Sequence, residues 1–326
     1  MPWLCLALSL CLASPKPADP PLVIVVEGAP GTPEYGREFR RSADLWEKAA
    51  ARGSARLVRV GEGHGDGSET DRDRLRAAME ARAKDGSQSP SWLVLIGHGT
   101  WDGREARFNL RGPDLSDAEL AEWLKPIATP IAIVNGASAS GPFLPKLSAP
   151  NRVIVTATRS GDEQNFARFG LYLAEAIADP AADIDKDGQT SLLEAFLKAS
   201  AQAQEYYRSR SRLATEHALI DDNGDKLGTP ADWFRGIRAT KRAKDGAELD
   251  GLRANQRTLV LGDRDATLSP EALQRRDQIE VAVASLRSKK TSLAEDEYYR
   301  QLEALMLELA RLYKGPSDAP IAPTSP

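Results

Sequence analysis

From residue 20 to about residue 180 short aliphatic, β-branched runs alternate with longer stretches of helical composition. Leu22-Val23-Ile24-Val25-Val26 is the first run, and Tyr35 to Ala51 the first helical stretch. Ala55 to Val60 and Trp92-Leu93-Val94-Leu95-Ile96 read as strands on either side of a helix over Arg74 to Ala83. Ser116 with Glu119 three residues on predicts a capped helix to Leu124, followed by strands at Ile131 to Val134 and Arg152 to Thr158 and a helix at Phe169 to Ala178. Continuous apolar strands separated by helices predict a mostly parallel sheet covered on both faces, a three-layer α/β domain. In such a sheet the functional site belongs at the carboxyl ends of the strands.

The pattern changes beyond residue 235. Lys241 to Asn255 is charged and interrupted by glycine, so residues 236–268 read as a linker region, with Thr258-Leu259-Val260-Leu261 as one more short strand. Ser269-Pro270 opens a helix in which Ile279, Val283 and Leu286 are spaced by three and four. Leu302, Leu305, Leu309 and Leu312 repeat that spacing, which predicts a helical hairpin over residues 269–314 turning near Ser292. The proline-rich residues 315–326 read as a disordered tail.

Composition narrows the function. The 326 residues carry 47 acidic and 43 basic side chains, a formal charge of -4, and no segment clusters Lys and Arg among aromatics, so nucleic acid is not an expected partner. The only two cysteines, Cys5 and Cys11, fall in an uncharged run from Trp3 to Ala13 that is too short to span a bilayer. With Ala13 at a plausible cleavage point, residues 1–19 read as a signal peptide, and the chain as periplasmic or secreted with no membrane span after leader removal. Lipidation at Cys11 is the weaker alternative, because Leu10 stands where a small residue is expected. A mature chain cut at Ala13 has no thiol for a disulfide, a metal or a nucleophile.

Two strand ends carry candidate chemistry. His98 follows the third strand in Ile96-Gly97-His98-Gly99-Thr100, and the next strand ends in Asn135-Gly136-Ala137-Ser138-Ala139-Ser140-Gly141. Adjacent parallel strands would set His98 beside the hydroxyl of Ser138 or Ser140, a base next to a nucleophile. This order of His-Gly and then Ala-x-x-Ser-Gly resembles the legumain and caspase-like clan of cysteine endopeptidases, over roughly residues 21 to 180. The resemblance implies a peptide or protein as substrate or partner, His98 as general base, Ser138 in the place of the catalytic Cys, and the Gly99 amide in an oxyanion hole. It also implies that residues 156–161 form the wall of a side-chain pocket, with Arg159 and Asp162 setting its charge. The departure is the nucleophile. A thiol with a pKa near ~8.5 is ionised by a neighbouring histidine, whereas a serine hydroxyl needs a third group to orient the imidazole, and Asp102 is the nearest acid in sequence. Two readings stay open: a degenerate site that binds without cleaving, and an active Ser-His hydrolase.

A separate motif points to a metal. Asp183-Ile184-Asp185-Lys186-Asp187-Gly188-Gln189-Thr190-Ser191-Leu192-Leu193-Glu194 follows the pattern of an EF-hand-type Ca2+ loop. Asp183, Asp185 and Asp187 offer carboxylates, Gly188 the turn, Gln189 its carbonyl, Ser191 a direct or water-mediated ligand, and Glu194 a bidentate one. Pro180 implies that the entering helix ends before the loop. A second acidic run, Asp221-Asp222-Asn223-Gly224-Asp225, fits this register poorly because Lys226 occupies the glycine position. His64 and His217 read as ordinary loop residues, since three scattered histidines do not make a zinc site.

Overall fold

A computed structural model describes residues 19–61, 69–246 and 248–314. The expected signal peptide up to residue 18, His64 and residues 315–326 lie outside the described residues. In chain order the elements are β1 (Leu22–Glu27), α1 (Pro33–Arg52), β2 (Arg56–Val60), α2 (Asp71–Lys84), β3 (Ser91–Ile96), β4 (Gly99–Trp101), β5 (Ala106–Phe108), β6 (Leu115–Ser116), α3 (Asp117–Leu124), β7 (Ile131–Asn135), α4 (Phe143–Leu147) and β8 (Arg152–Thr156). There follow α5 (Phe169–Ala176), α6 (Leu192–Ser209), β9 (Leu219–Asp221), β10 (Thr229–Pro230), β11 (Phe234–Arg235), β12 (Arg238–Ala239), α7 (Leu252–Asn255), α8 (Pro270–Ser288) and α9 (Glu295–Lys314).

The main sheet has the order β10-β9-β8-β7-β3-β1-β2. Its five strands from β2 to β8 are parallel, the inner ones carrying the apolar runs and the edge strand β2 mixing Arg with apolar residues, and β9 and β10 extend the other edge antiparallel. Alternation along each strand divides the core in two. Val23, Val25, Trp92, Val94 and Val134 face α1, α5 and α6 through Phe39, Trp46, Phe169 and Phe196. Ile24, Val26, Leu93, Leu95 and Ile133 face α2, α3 and α4 through Leu75, Met79, Leu120 and Leu147. The fold is thus three-layered α/β with a mostly parallel sheet. Ser116 caps α3 in the reciprocal arrangement its spacing predicts: the Glu119 N–H donates to Ser116 Oγ, and the Ser116 N–H to the Glu119 carboxylate.

Two features set the shape of the strand ends. A small antiparallel sheet, β4-β5-β6, rises from the loop after β3 and folds over β1 and β3, where Asn109 bridges the His98 carbonyl and the Ala29 amide. Close backbone contact is possible because the chain has glycine at Gly28 and Gly97, where a Cβ would meet the Asn109 carbonyl and the Phe108 ring. On the other side Gly136 meets Gly170 of α5, bringing the loop after β7 down onto that helix.

The C-terminal hairpin packs α8 against α9, with Ile279, Val283 and Leu286 buried as their spacing predicts. Between the domain and the hairpin, Ala254 and Leu259 enter the α1/α5/α6 side of the core. Thr258 forms a single antiparallel bridge with Ser191 instead of a continuous strand.

Buried carboxylates hold this segment against the sheet edge. Asp222 accepts the Gly251 and Ala254 amides, and Asp250 accepts the Asp222 and Asn223 amides and the Thr229 hydroxyl. Burial, and then the adjacent Asp222 charge, push Asp250 up to about 8. An unfolded carboxyl titrates near ~3.9. The native state therefore binds this proton more tightly, and stability falls as pH rises from the unfolded value towards about 8. Asp250→Asn is expected to flatten that slope when melting temperature is followed from pH 5 to 9; the same pH profile in variant and wild type would contradict the assignment.

Candidate functional site

His98 is placed by the end of β3. Gly97 turns the chain beneath Phe108, and the imidazole enters an aromatic enclosure with ring centroids 4.8 Å from Tyr35, 5.2 Å from Phe39 and 5.8 Å from Phe166. Its Nε2 lies 3.3 Å from the Pro30 carbonyl, an acceptor only, so Nε2 carries the proton and the neutral ring keeps its lone pair on Nδ1. Burial lowers the His98 pKa, which favours that neutral form. The group that orients the ring is thus a backbone carbonyl. Asp102 is occupied elsewhere, accepting the Arg104 and Glu105 amides and pairing with Arg107.

Ser138 crowns β7 and is only 2% exposed. The Gly99 N–H donates to Ser138 Oγ at 3.1 Å, and the Ser138 hydroxyl donates to the Gly99 carbonyl at 3.2 Å. The two strand ends are therefore joined, as parallel neighbours should be, but through Gly99. No hydrogen bond connects His98 and Ser138. The amide that would serve an oxyanion hole is spent on the hydroxyl itself. Ala139 follows with φ of 52°, a left-handed conformation that costs an alanine roughly 1–2 kcal/mol, and its amide donates to the Glu163 carbonyl at 2.9 Å.

Ser140 has a different place. Fully buried, its Oγ lies 3.2 Å from Thr158 Oγ1 and accepts the Thr158 amide, while Thr158 Oγ1 accepts the Gly141 amide. This hydroxyl cross-links the loops after β7 and β8. In the wall beyond, Arg159 pairs with Glu163, and Asp162 is exposed.

Glu163 was not singled out by its sequence context. Its carboxylate takes the Arg159 and His217 amides and lies 2.5 Å from His217 Nδ1. His217 is thereby tied to the wall of the cleft across 54 positions of sequence. A pocket of about 20 Å³ lies beneath the cleft, lined by Phe39, Gly97, Gly136 and Phe166 and by Glu38 and Ser42, whose Oε2 and Oγ are buried without a hydrogen-bond partner. It has the size and polarity for one water.

The loop 183–194 gathers its acidic side chains at one mouth. Oxygens of Asp183, Asp185 and Asp187 all lie within 4.8 Å of one another. Partial desolvation, followed by neighbouring carboxylates, raises the pKa of both Asp185 and Asp187. Lys186 and Gly188 take φ of 63° and 95°, which folds the loop around that mouth. Glu194, buried, reaches back to accept the Ile184, Asp185 and Ser191 amides, and Ser191 caps α6. Gln189 leaves its carbonyl to the loop and sends its side chain outward. Oxygen donors converging in this way suit a hard divalent cation such as calcium. A short 3-10 turn at Pro180–Ala182, not a helix end, leads into the loop.

The loop at Asp221 repeats this backbone. In the first loop Asp183 accepts the amides of Lys186 and Gly188, Asp185 that of Asp187, and Asp187 that of Gln189. In the second, Asp221 accepts the amides of Gly224 and Lys226, Asn223 that of Asp225, and Asp225 that of Leu227. Positive φ recurs at the same two places, with glycine and lysine exchanged: Gly224 at 82° and Lys226 at 72°. The register that Lys226 argues against in sequence is the one the chain adopts, the left-handed lysine being carried by the loop's hydrogen bonds.

No protein-family model matches the sequence, and no curated protein matches it. Among solved structures, the chain is similar to the Drosophila initiator caspase Dronc, at 13% identity over 63% of this chain and 79% of that one, with a TM-score of 0.43.

Proposed function

We propose that this is an exported, calcium-binding protein whose caspase/legumain-like domain binds a peptide or protein partner at the His98–Ser138 cleft without cleaving it. The observation that carries the reading is the double hydrogen bond between Ser138 and Gly99, which occupies both the nucleophile and its nearest oxyanion donor. Export rests on the sequence of residues 1–19. No helix among the described residues is long and apolar enough to cross a membrane.

One observation favours the second reading, an active Ser-His endopeptidase or hydrolase: Pro30 holds His98 in the tautomer that keeps Nδ1 basic. A fluorophosphonate probe separates the two. Wild type is expected to remain unlabelled, and Ser138→Cys to gain reactivity toward a thiol-directed alkylating probe. Labelling of wild type that disappears in Ser138→Ala would establish the hydrolase instead.

Calcium would be held by Asp183, Asp185, Asp187, the Gln189 carbonyl and Glu194, with Ser191 acting through water because its hydroxyl already caps α6. Bound there, it would serve as a structural cation that offsets the repulsion among the three aspartates. A ligand that binds only the folded chain stabilises it by about 2.7 kcal/mol at one hundred times its dissociation constant. Melting temperature is therefore expected to be several degrees higher in calcium than in chelator, and the difference to vanish in Asp185→Ala. Identical melting of wild type in both buffers would remove the calcium reading.

A further inference from the structure

The calcium loop is joined to both helices of the C-terminal hairpin through one side chain. Gln189 Nε2 donates to Asp187 Oδ2 at 3.1 Å and to Asp265 Oδ2 at 2.8 Å, while its Oε1 accepts the Gly262 amide at 3.2 Å. Asp265 is 6% exposed and receives the Arg276 guanidinium from α8 and the Tyr313 hydroxyl from α9, the latter at 2.9 Å. Arg264 stacks on the Tyr313 ring at 3.8 Å. The chain between runs tight against the loop: a Cβ on Gly262 would lie 2.7 Å from the Gly188 carbonyl. Asn255 accepts the Ser191 hydroxyl, and the Arg257 carbonyl accepts the Leu192 amide.

We propose that cation occupancy of the 183–194 loop is coupled to the seating of the α8–α9 hairpin through Gln189 and Asp265, calcium tightening the hairpin on the domain. The proposal rests on the calcium reading given above. Position 7 of such a loop gives the cation its backbone carbonyl, so the cation fixes the Gln189 backbone while the side chain links Asp187 of the loop to Asp265. Here it holds the carboxylate on which both hairpin helices converge. Without the cation, repulsion between Asp185 and Asp187 loosens the loop and the placement of Gln189 with it. Linkage makes the effect reciprocal: a seated hairpin raises calcium affinity by the factor by which calcium favours seating.

Amide hydrogen exchange over residues 270–314 of the full chain, in calcium and in chelator, tests this. Calcium is expected to slow hairpin exchange in wild type roughly fivefold or more, the lower range of measured site-to-site couplings. Asp265→Ala leaves every loop ligand in place, so it is expected to bind calcium in titration calorimetry while its hairpin exchange becomes indifferent to the ion. Asp185→Ala, which removes a ligand without touching Asp265, is expected to show the same hairpin exchange in calcium as in chelator. Calcium binding by wild type with unchanged hairpin exchange would overturn the coupling alone. Full calcium-dependent protection in Asp265→Ala would overturn the route through this carboxylate. A wild type that takes up no calcium would overturn the calcium reading, and the coupling with it.

Discussion

Gly99 is the point on which the junction of the two strand ends depends. A Cβ there would lie 2.3 Å from the Ser138 carbonyl, so only glycine lets the loops after β3 and β7 approach this closely. The approach in turn needs two parallel strands in register, Leu95 beside Asn135, and small residues at Gly136 and Gly170 to seat the second loop on α5. Each of these contacts is between backbones, which repack less readily than side chains. The junction is therefore a consequence of the sheet, and the loop after β8 is fastened beside it by Ser140, Thr158 and Glu163.

Acidic side chains do much of the fastening away from the cleft. Glu194, Glu216, Asp221, Asp222, Asp250 and Asp265 are all buried, and each accepts backbone amides or side-chain donors from a segment distant in sequence or from the turn that it closes. A buried carboxylate left unpaired costs several kcal/mol, whereas one that accepts several N–H groups fixes the loops that supply them. Glu216 illustrates the compromise. It caps the start of α5 through the Arg168 and Phe169 amides, yet burial outweighs those bonds and raises its pKa. The modest net charge of -4 thus conceals a chain in which many acids are structural.

How much of this is legible in the sequence follows from the range of each interaction. The parallel strands are legible because burial on both faces leaves continuous apolar runs, and the cap at Ser116 because its partner lies three residues away, whereas the equally spaced cap at Ser191 lies hidden inside the metal motif. The small sheet β4-β5-β6 is not, since strands of two or three residues carry no period. The antiparallel edge hides in a stretch of Asp, Gly and Pro that resembles a loop. At the site, His98 and Ser138 stand out because glycines flank strand ends. Pro30 acts through a carbonyl that every residue has, and Glu163 meets His217 only through the fold. The backbone shared by the Asp183 and Asp221 loops is concealed by the exchange of Gly and Lys between two left-handed positions, which a rule fixed on one glycine does not recognise.

A serine at the head of β7 differs from a cysteine there in more than its strength as a nucleophile. A thiol is a weak donor and a weak acceptor, and would leave the Gly99 amide and carbonyl largely free. The hydroxyl engages both, at 3.1 and 3.2 Å. Attack by Ser138 would require both bonds to be broken, at about 1 kcal/mol each, or roughly thirtyfold in population. The freed hydroxyl would then have to turn toward His98, whose imidazole is held by Pro30 and whose protonated form is disfavoured by burial. Among the described residues no carboxylate is hydrogen-bonded to the ring to stabilise the imidazolium that such a transfer creates. The same two bonds that disfavour attack stiffen the junction of β3 and β7, so that the backbone on either side of it is fixed in one conformation.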